Sequence, residues 1–271
     1  MMPLVGEVVQ LGRRSVVRTL RQPANVIAPV LFPIALLAVN SGGLAAATKI
    51  PGFPTHFYAA FALAVPFMQG ALFATMNAGT DLARDIQTGF LNRLALTPMR
   101  GLALIAGQLA GVAAAALVQA IIYICVGFVI GVHFQSGPVG IGVLLLLAVL
   151  IAISFGAVGA LLALRTGSGE AVQGFFPLLF VFLIISSFNL PRNLIEIGWF
   201  RAVATANPVS YLIEGIRSLI IEGWNGEALA LAFAVTAILA VVAFGLASLA
   251  LRQRKPGARL GIDVLGQSGH G

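Results

Sequence analysis

Charge is what this chain has least of. Asp, Glu, Lys and Arg make up 9% of its 271 residues, where a soluble domain carries about 25%. With a mean hydropathy of +1.00, this excludes a water-soluble globular protein and leaves a membrane protein. Cysteine is nearly absent. Cys125 stands alone in an apolar run, so there is no disulfide framework, cysteine metal cluster or CxxC pair. His56, His133 and His270 are scattered without metal-ligand spacing. No GxxxxGK[ST] phosphate loop occurs, so P-loop hydrolysis of ATP by this chain is excluded. No serine sits in a nucleophile-elbow pattern either. Enzymatic readings have little to stand on, and no cofactor or metal is expected on this chain.

What is there is long apolar runs. A helix needs about 20 apolar residues to cross the hydrocarbon core, so spans can be found as uncharged windows. Arg21 to Lys49 encloses one and Lys49 to Asp81 a second. Arg100 to Arg165 has no charge between its ends and is split by Ser136-Gly137-Pro138 into two. Glu170 to Arg192 gives a fifth, and Glu227 to Arg252 a sixth.

The formal charge of +7 could suggest nucleic acid, but its distribution argues otherwise. With a cytoplasmic amino terminus, twelve of the sixteen bases fall inside with five of the nine acids. Outside lie Lys49, Arg192, Arg201 and Arg217, balanced by Glu196, Glu214, Glu222 and Glu227. The whole excess is on one face, which is a topology signal. Both termini are then cytoplasmic, and no nucleic-acid partner is expected.

Residues 1–22 are amphipathic. Arg14, Arg18 and Arg21 oppose Val5, Val9, Val16 and Leu20, which suits an interfacial helix. Arg13-Arg14 as an export signal, or Val26 to Val39 as a cleaved signal peptide, are the competing readings. Residues 23–251 form the membrane domain, and 252–271 a basic cytoplasmic tail expected to be disordered. The expected spans are Val26–Ala47, with Pro29 and Pro33 to kink it, then Phe57–Ala78, Leu102–Val132, Val139–Leu164, Ala171–Phe188 and the final one. Gly107/Gly111 and Gly127/Gly131 let helices approach closely. The segment Asn189–Gly226 is long yet apolar. Asn207-Pro208 reads as an N-cap followed by proline at the first helical position. Helical periodicity follows to Ile221, through Tyr211, with Glu214 and Arg217 spaced i,i+3. Such a helix should dip into the outer bilayer edge or plug the bundle.

All nine acids fall outside the apolar cores, which argues against ion-coupled carriage. Neutral polar residues do lie within them. Gln108, Gln119 and Tyr123 share a face of the third span; Gln69 shares one with Pro66 and Phe73; Gln173 lies near Phe176 and Phe180. They are either interhelical hydrogen-bond glue or a polar track for an amphiphilic substrate.

Between the second and third spans lies Gly79 to Gly101, with a polar start at Thr80-Asp81 and a stop before Pro98. It reads as a short separate helix, Ala83, Ile86, Phe90 and Leu94 on one face and Asp85, Thr88 and Asn92 on the other. It is either an ordinary solvated loop helix or one that docks on a soluble partner. The string Asp85…Gly89-Phe90-Leu91-Asn92-Arg93-Leu94…Thr97-Pro98 resembles the cytoplasmic coupling-helix signature of ABC transporter permeases of the type-2 exporter family. Arg21-Gln22-Pro23 resembles that family's R-x-P before the first span. Asn207-Pro208-Val209-Ser210-Tyr211…Ile216-Arg217-Ser218-Leu219 resembles the element before its last span. The resemblance covers nearly the whole chain, which is similar in character to daunorubicin-resistance-type drug permeases. Ile86-Gln87-Thr88 departs from the pattern by carrying fewer charges.

The resemblance implies an all-α integral membrane protein of six transmembrane helices. An amino-terminal interfacial helix, a cytoplasmic coupling helix and an extracellular re-entrant segment before the last span would complete it. It implies a half-transporter in a prokaryotic cytoplasmic membrane, paired with a second copy or a paralogue. P-loop ATPase subunits carrying ATP and Mg would grip Phe90, Leu91 and Leu94, with Asp85 and Arg93 fixing register. The cargo would be a drug or lipid. A glycan export permease, an ion-coupled carrier and a non-transporting scaffold are the other readings.

Overall fold

Every residue from Tyr58 to Leu72 is buried, so this stretch is wrapped on all sides. A segment apolar all round its helical wheel has no face to give to water, and YAAFALAVPFMQGAL is such a segment but for Gln69. The computed structural model describes residues 10, 12–13, 15–17, 24–89 and 101–253, with the side chains of 24–26, 28, 101–104 and 252 left aside. Helix α1 spans Ala24–Gly43 and is followed by a 3-10 turn at Ala45–Lys49. Helices α2 (Tyr58–Ala62) and α3 (Ala64–Gln87) are nearly continuous. Pro66 explains their join, because it has no N–H for the carbonyl of Ala62. Next come α4 (Gly101–Val129) and α5 (Gly137–Thr166). After them come α6 (Gly169–Gly174), α7 (Phe176–Ile184), α8 (Gly198–Ala206) and α9 (Pro208–Arg217). A π-helical turn at Ser218–Glu222 leads to α10, Gly226–Gln253.

No strand occurs among the described residues. Four of their helical stretches are long and apolar enough to cross a membrane: Tyr58–Gln87, Ile105–Val129, Gly137–Thr166 and Gly226–Leu251. Pro29–Gly43 and Gly169–Ile184 are apolar but shorter. The expected fifth span, Ala171–Phe188, is two helices broken at Phe175. Pro177 accounts for the break, since it cannot donate to the carbonyl of Gln173.

A second correction concerns Gly79 to Gln87. Thr80 and Asp81 do not begin a helix; they lie inside α3, which runs on to Gln87. It ends at Thr88, whose hydroxyl donates to the carbonyl of Arg84 at 2.9 Å, and at Gly89 with φ of +69°. That left-handed glycine is the ordinary terminator of a helix. Gly79 serves contact instead of termination. A Cβ there would stand 2.5 Å from Val172 Cγ1 and 2.8 Å from the carbonyl oxygen of Gly159.

The α3–α5 pair is the most extensive packing in the bundle, and α5 also packs on α10 and α4. Thr75 Oγ1 donates to the carbonyl of Phe155 at 3.0 Å across the first of these seams. Ser154 Oγ donates to the carbonyl of Thr236 at 3.1 Å across the second. The described residues between Gln10 and Val17 are helical. They dock on α4, where Ser15 Oγ donates to the carbonyl of Gln108 at 3.1 Å and stands 2.2 Å from where a Cβ on Gly111 would be. The small residues of α4 thus admit the amino-terminal segment.

Candidate functional site

Three groups of residues were singled out by sequence, and the structure separates them. The first is the polar track. Tyr123 donates its hydroxyl to the carbonyl of Pro29 at 2.6 Å. The reason is local to α1: Pro33, four residues on, has no N–H to offer that carbonyl. Gln108 Nε2 donates to the carbonyl of Ala78 at 2.8 Å, joining α4 to α3. Both therefore hold helices together. Gln119 is buried beside Gly70, its Oε1 2.9 Å from where a Cβ on that glycine would lie. Gln119, Gln108, Asn77 and Asp81 line one small cavity of about 30 Å3 between α3, α4 and the amino-terminal segment. Asp81 lies on the part of α3 that continues past Ala78, the expected end of the second span.

Gln69 is different. It is 1% exposed, and neither its Nε2 nor its Oε1 has a protein partner. A buried amide left in that state costs about 1–3 kcal/mol. Gln69→Leu should therefore raise the thermal unfolding midpoint of the purified protein by a few degrees, since about 1 kcal/mol moves a chain of this size by ~2–4 °C. A lowered midpoint would show that the amide is bonded in the folded protein.

Gln173 is exposed on α6 and does not join that cavity. Phe176 belongs to an aromatic cluster at the meeting of α1, α3 and α7. Its ring centroid is 5.5 Å from that of Phe73 and 5.9 Å from that of Phe180, and Phe73 lies 6.2 Å from Phe32.

The second group is the expected partner-docking segment. Asp85 is half-buried on the last turns of α3. Phe90, Leu91, Arg93 and Leu94 lie outside the described residues. Gln87 Nε2 reaches the carbonyl of Gly167 at 3.4 Å, so α3 and the α5–α6 turn end together.

The third group lies at the opposite end of the bundle. Asn207 caps α9 as expected, its Oδ1 accepting from the Val209 N–H at 2.9 Å, with Pro208 in the first turn. Its Nδ2 also donates to the carbonyl of Phe182 at 2.6 Å, tying α9 to α7. Tyr211 donates its hydroxyl to the carbonyl of Thr205 at 2.8 Å. Its ring carries the guanidinium of Arg192 at 4.4 Å. Glu214 does not pair with Arg217. It accepts from Arg192 in a two-pronged pair, Nε to Oε1 at 2.7 Å and Nη2 to Oε2. Burial opposes the charge on Arg192, but the hydrogen bond and charge of Glu214 outweigh it and hold the pKa above the usual arginine value.

Arg217 turns inward because α9 buries Leu212, Ile213 and Ile216 almost completely, and Arg217 shares the Ile213 side of the wheel. Its Nε, Nη1 and Nη2 donate to the carbonyls of Phe61, Ser187 and Phe188 at 3.2, 3.1 and 3.2 Å. The guanidinium lies 3.4 Å from the centroid of the Phe61 ring. Ser187 and Phe188 follow the last turn of α7, where carbonyls have no donor of their own helix. One side chain thus fastens α2, the end of α7 and α9. Sequence marked Arg217 but not these acceptors, which come from segments 29 to 156 residues away.

No grouping of acids, histidines or cysteine among the described residues suits a metal ion. The described residues form a helical bundle with polar seams and charged groups towards both ends. Residues 6–221 match the ABC-2 type transporter family. The chain is 27% identical to the daunorubicin resistance ABC transporter permease protein DrrB1 of Streptomyces coeruleorubidus, over 73% of this chain and 69% of that one. It is 23% identical to the probable doxorubicin resistance ABC transporter permease protein DrrC of Mycobacterium tuberculosis, over 78% and 75% of the two chains. With the family match covering most of its length, this all-helical chain belongs to the ABC-2 type transporter family.

Proposed function

We propose that this chain is the membrane subunit of an ATP-driven exporter for hydrophobic or amphiphilic molecules, drugs or lipids. The observation that carries the reading is the family match over residues 6–221, in a chain with no phosphate-binding loop of its own. The relatives named for daunorubicin and doxorubicin resistance favour drug-like cargo. Six spans would be α1, α2–α3, α4, α5, α6–α7 and α10, with both termini cytoplasmic by the distribution of bases. The setting would be a prokaryotic cytoplasmic membrane. A second copy or a paralogue would complete the pathway, and ATP and Mg would stay on a separate P-loop ATPase.

The chain's part in coupling would be mechanical. The segment after Gly89 would dock on the ATPase through Phe90, Leu91 and Leu94, with Asp85 and Arg93 setting register. From there α3 runs 24 residues without a break, about 36 Å of helix, into the core around Met68 and Leu72. Movement at one end would reach the buried Gln69 and the Phe73–Phe176 contact directly.

The test is co-purification with a P-loop ATPase, followed by ATPase assay in lipid. Phe90→Ala with Leu94→Ala should lower substrate-stimulated ATPase activity at least about tenfold, the equivalent of ~1.4 kcal/mol in docking. Stimulation and association equal to wild type in that variant would overturn the proposed docking.

A further inference from the structure

Where α8, α9 and the start of α10 meet, the bundle holds a cleft of about 510 Å3. Arg192, Arg201 and Arg217 line it against Glu214 and Glu222, one positive charge in excess. Arg192 and Glu214 balance each other. Glu222 accepts from Asn225 Nδ2 at 2.9 Å. Arg201 is held by its backbone contact, Nε to the carbonyl of Ile195 at 2.6 Å, and no carboxylate pairs with it among the described residues. Arg217 is 3% exposed, and the partners that its donors reach are carbonyls. Three bonds leave two of a guanidinium's five N–H groups for the cleft. Glu214 and Glu222 act on Arg217 only from a distance, and a buried cation with no carboxylate in contact, as here among the described residues, is costly unless an anion completes it. The amino end of α10 opens on the same space, capped by Asn225 accepting from the Ala228 N–H at 3.1 Å. Its dipole adds to the positive potential.

The surroundings say which anion. Ile197, Trp199 and Trp224 are exposed close in sequence to the cleft residues Arg201 and Asn225, and exposed tryptophan favours the headgroup level of a bilayer. From Ala228 at the cleft, α10 exposes Leu231, Ile238, Val241, Val242, Leu246 and Leu249, which together make a broad apolar face. A cationic cradle at headgroup depth therefore runs into an apolar track along a helix. We infer that this cleft binds the phosphate headgroup of an anionic membrane phospholipid, with an acyl chain lying along α10. The inference rests on the membrane character of the chain and stands apart from the exporter reading.

The experiment is thermal unfolding of the purified full chain in detergent, titrated with dihexanoyl phosphatidylglycerol. Dihexanoyl phosphatidylcholine and inorganic phosphate are titrated in parallel. Phosphatidylglycerol should raise the midpoint at lower concentration than phosphatidylcholine, and inorganic phosphate should not raise it. Arg201→Gln should weaken the phosphatidylglycerol response about fivefold, and Glu222→Gln should tighten it by a similar factor. Both side chains are on exposed residues, so both variants are expected to fold, and Arg201→Lys should restore most of the response. Equal responses to the two lipids would overturn the inference. So would no change in either charge variant, or a full response to phosphate alone, which would mark a free-anion site.

Discussion

Arg217→Met should destabilise the protein by about 3–5 kcal/mol, because three buried carbonyls lose their donor at once. Two effects compete. Removing a buried charge relieves its desolvation, which favours methionine. Against that, the carbonyls of Phe61, Ser187 and Phe188 lose the donors they have, each orphan costing about 1–3 kcal/mol. The contact with the Phe61 ring is lost as well. Orphaning wins because Ser187 and Phe188 sit in a non-helical stretch, where no neighbouring helix can adopt them. The midpoint should fall by about 10 °C. Arg217→Lys should recover little, because one ammonium cannot reproduce a planar fork reaching three acceptors. A wild-type midpoint for Arg217→Met would show that α2, α7 and α9 are held by other contacts.

That side chain also marks where sequence reading stops. Residues whose structure is set by near neighbours were readable. Asn207-Pro208 caps α9 because capping needs only the next three residues. Helices α5 and α10 fall within three residues of their expected bounds, since long apolar runs between turn formers define them. Partners across the fold were not readable. Glu214 and Arg217 are three apart on one helix, yet Arg192, 22 residues back, takes the carboxylate. Gly79 looked like a boundary because a glycine that ends a helix and one that lets two backbones touch are the same letter. Tyr123 lies between these cases. The Pro29–Pro33 spacing announces a carbonyl that needs a donor, but not that the donor comes from α4.

The largest single effect expected in the bundle is that of Gly159→Leu. A Cβ on Gly159 would lie 1.9 Å from the carbonyl oxygen of Thr75, 2.8 Å from its carbonyl carbon and 3.1 Å from the Gly79 nitrogen. All three obstacles are main chain, so no rotamer change can move them aside. Overpacking usually costs about 1–3 kcal/mol because side chains yield; here α3 and α5 must separate. Separation would also break the bond from Thr75 Oγ1 to the carbonyl of Phe155. Within a membrane, close backbone approach and such bonds are themselves what holds helices together. The variant should therefore yield little or no monodisperse protein on detergent extraction, and Gly159→Ala should fall between it and wild type. Gly142→Leu is the control, because on the same helix a Cβ at Gly142 meets nothing within 4 Å. It adds the same bulk and the same helix propensity, so it should extract and unfold like wild type. If Gly159→Leu behaved like Gly142→Leu, α3 and α5 could not be in backbone contact, and the rigid path from Gln87 into the core would be lost with them.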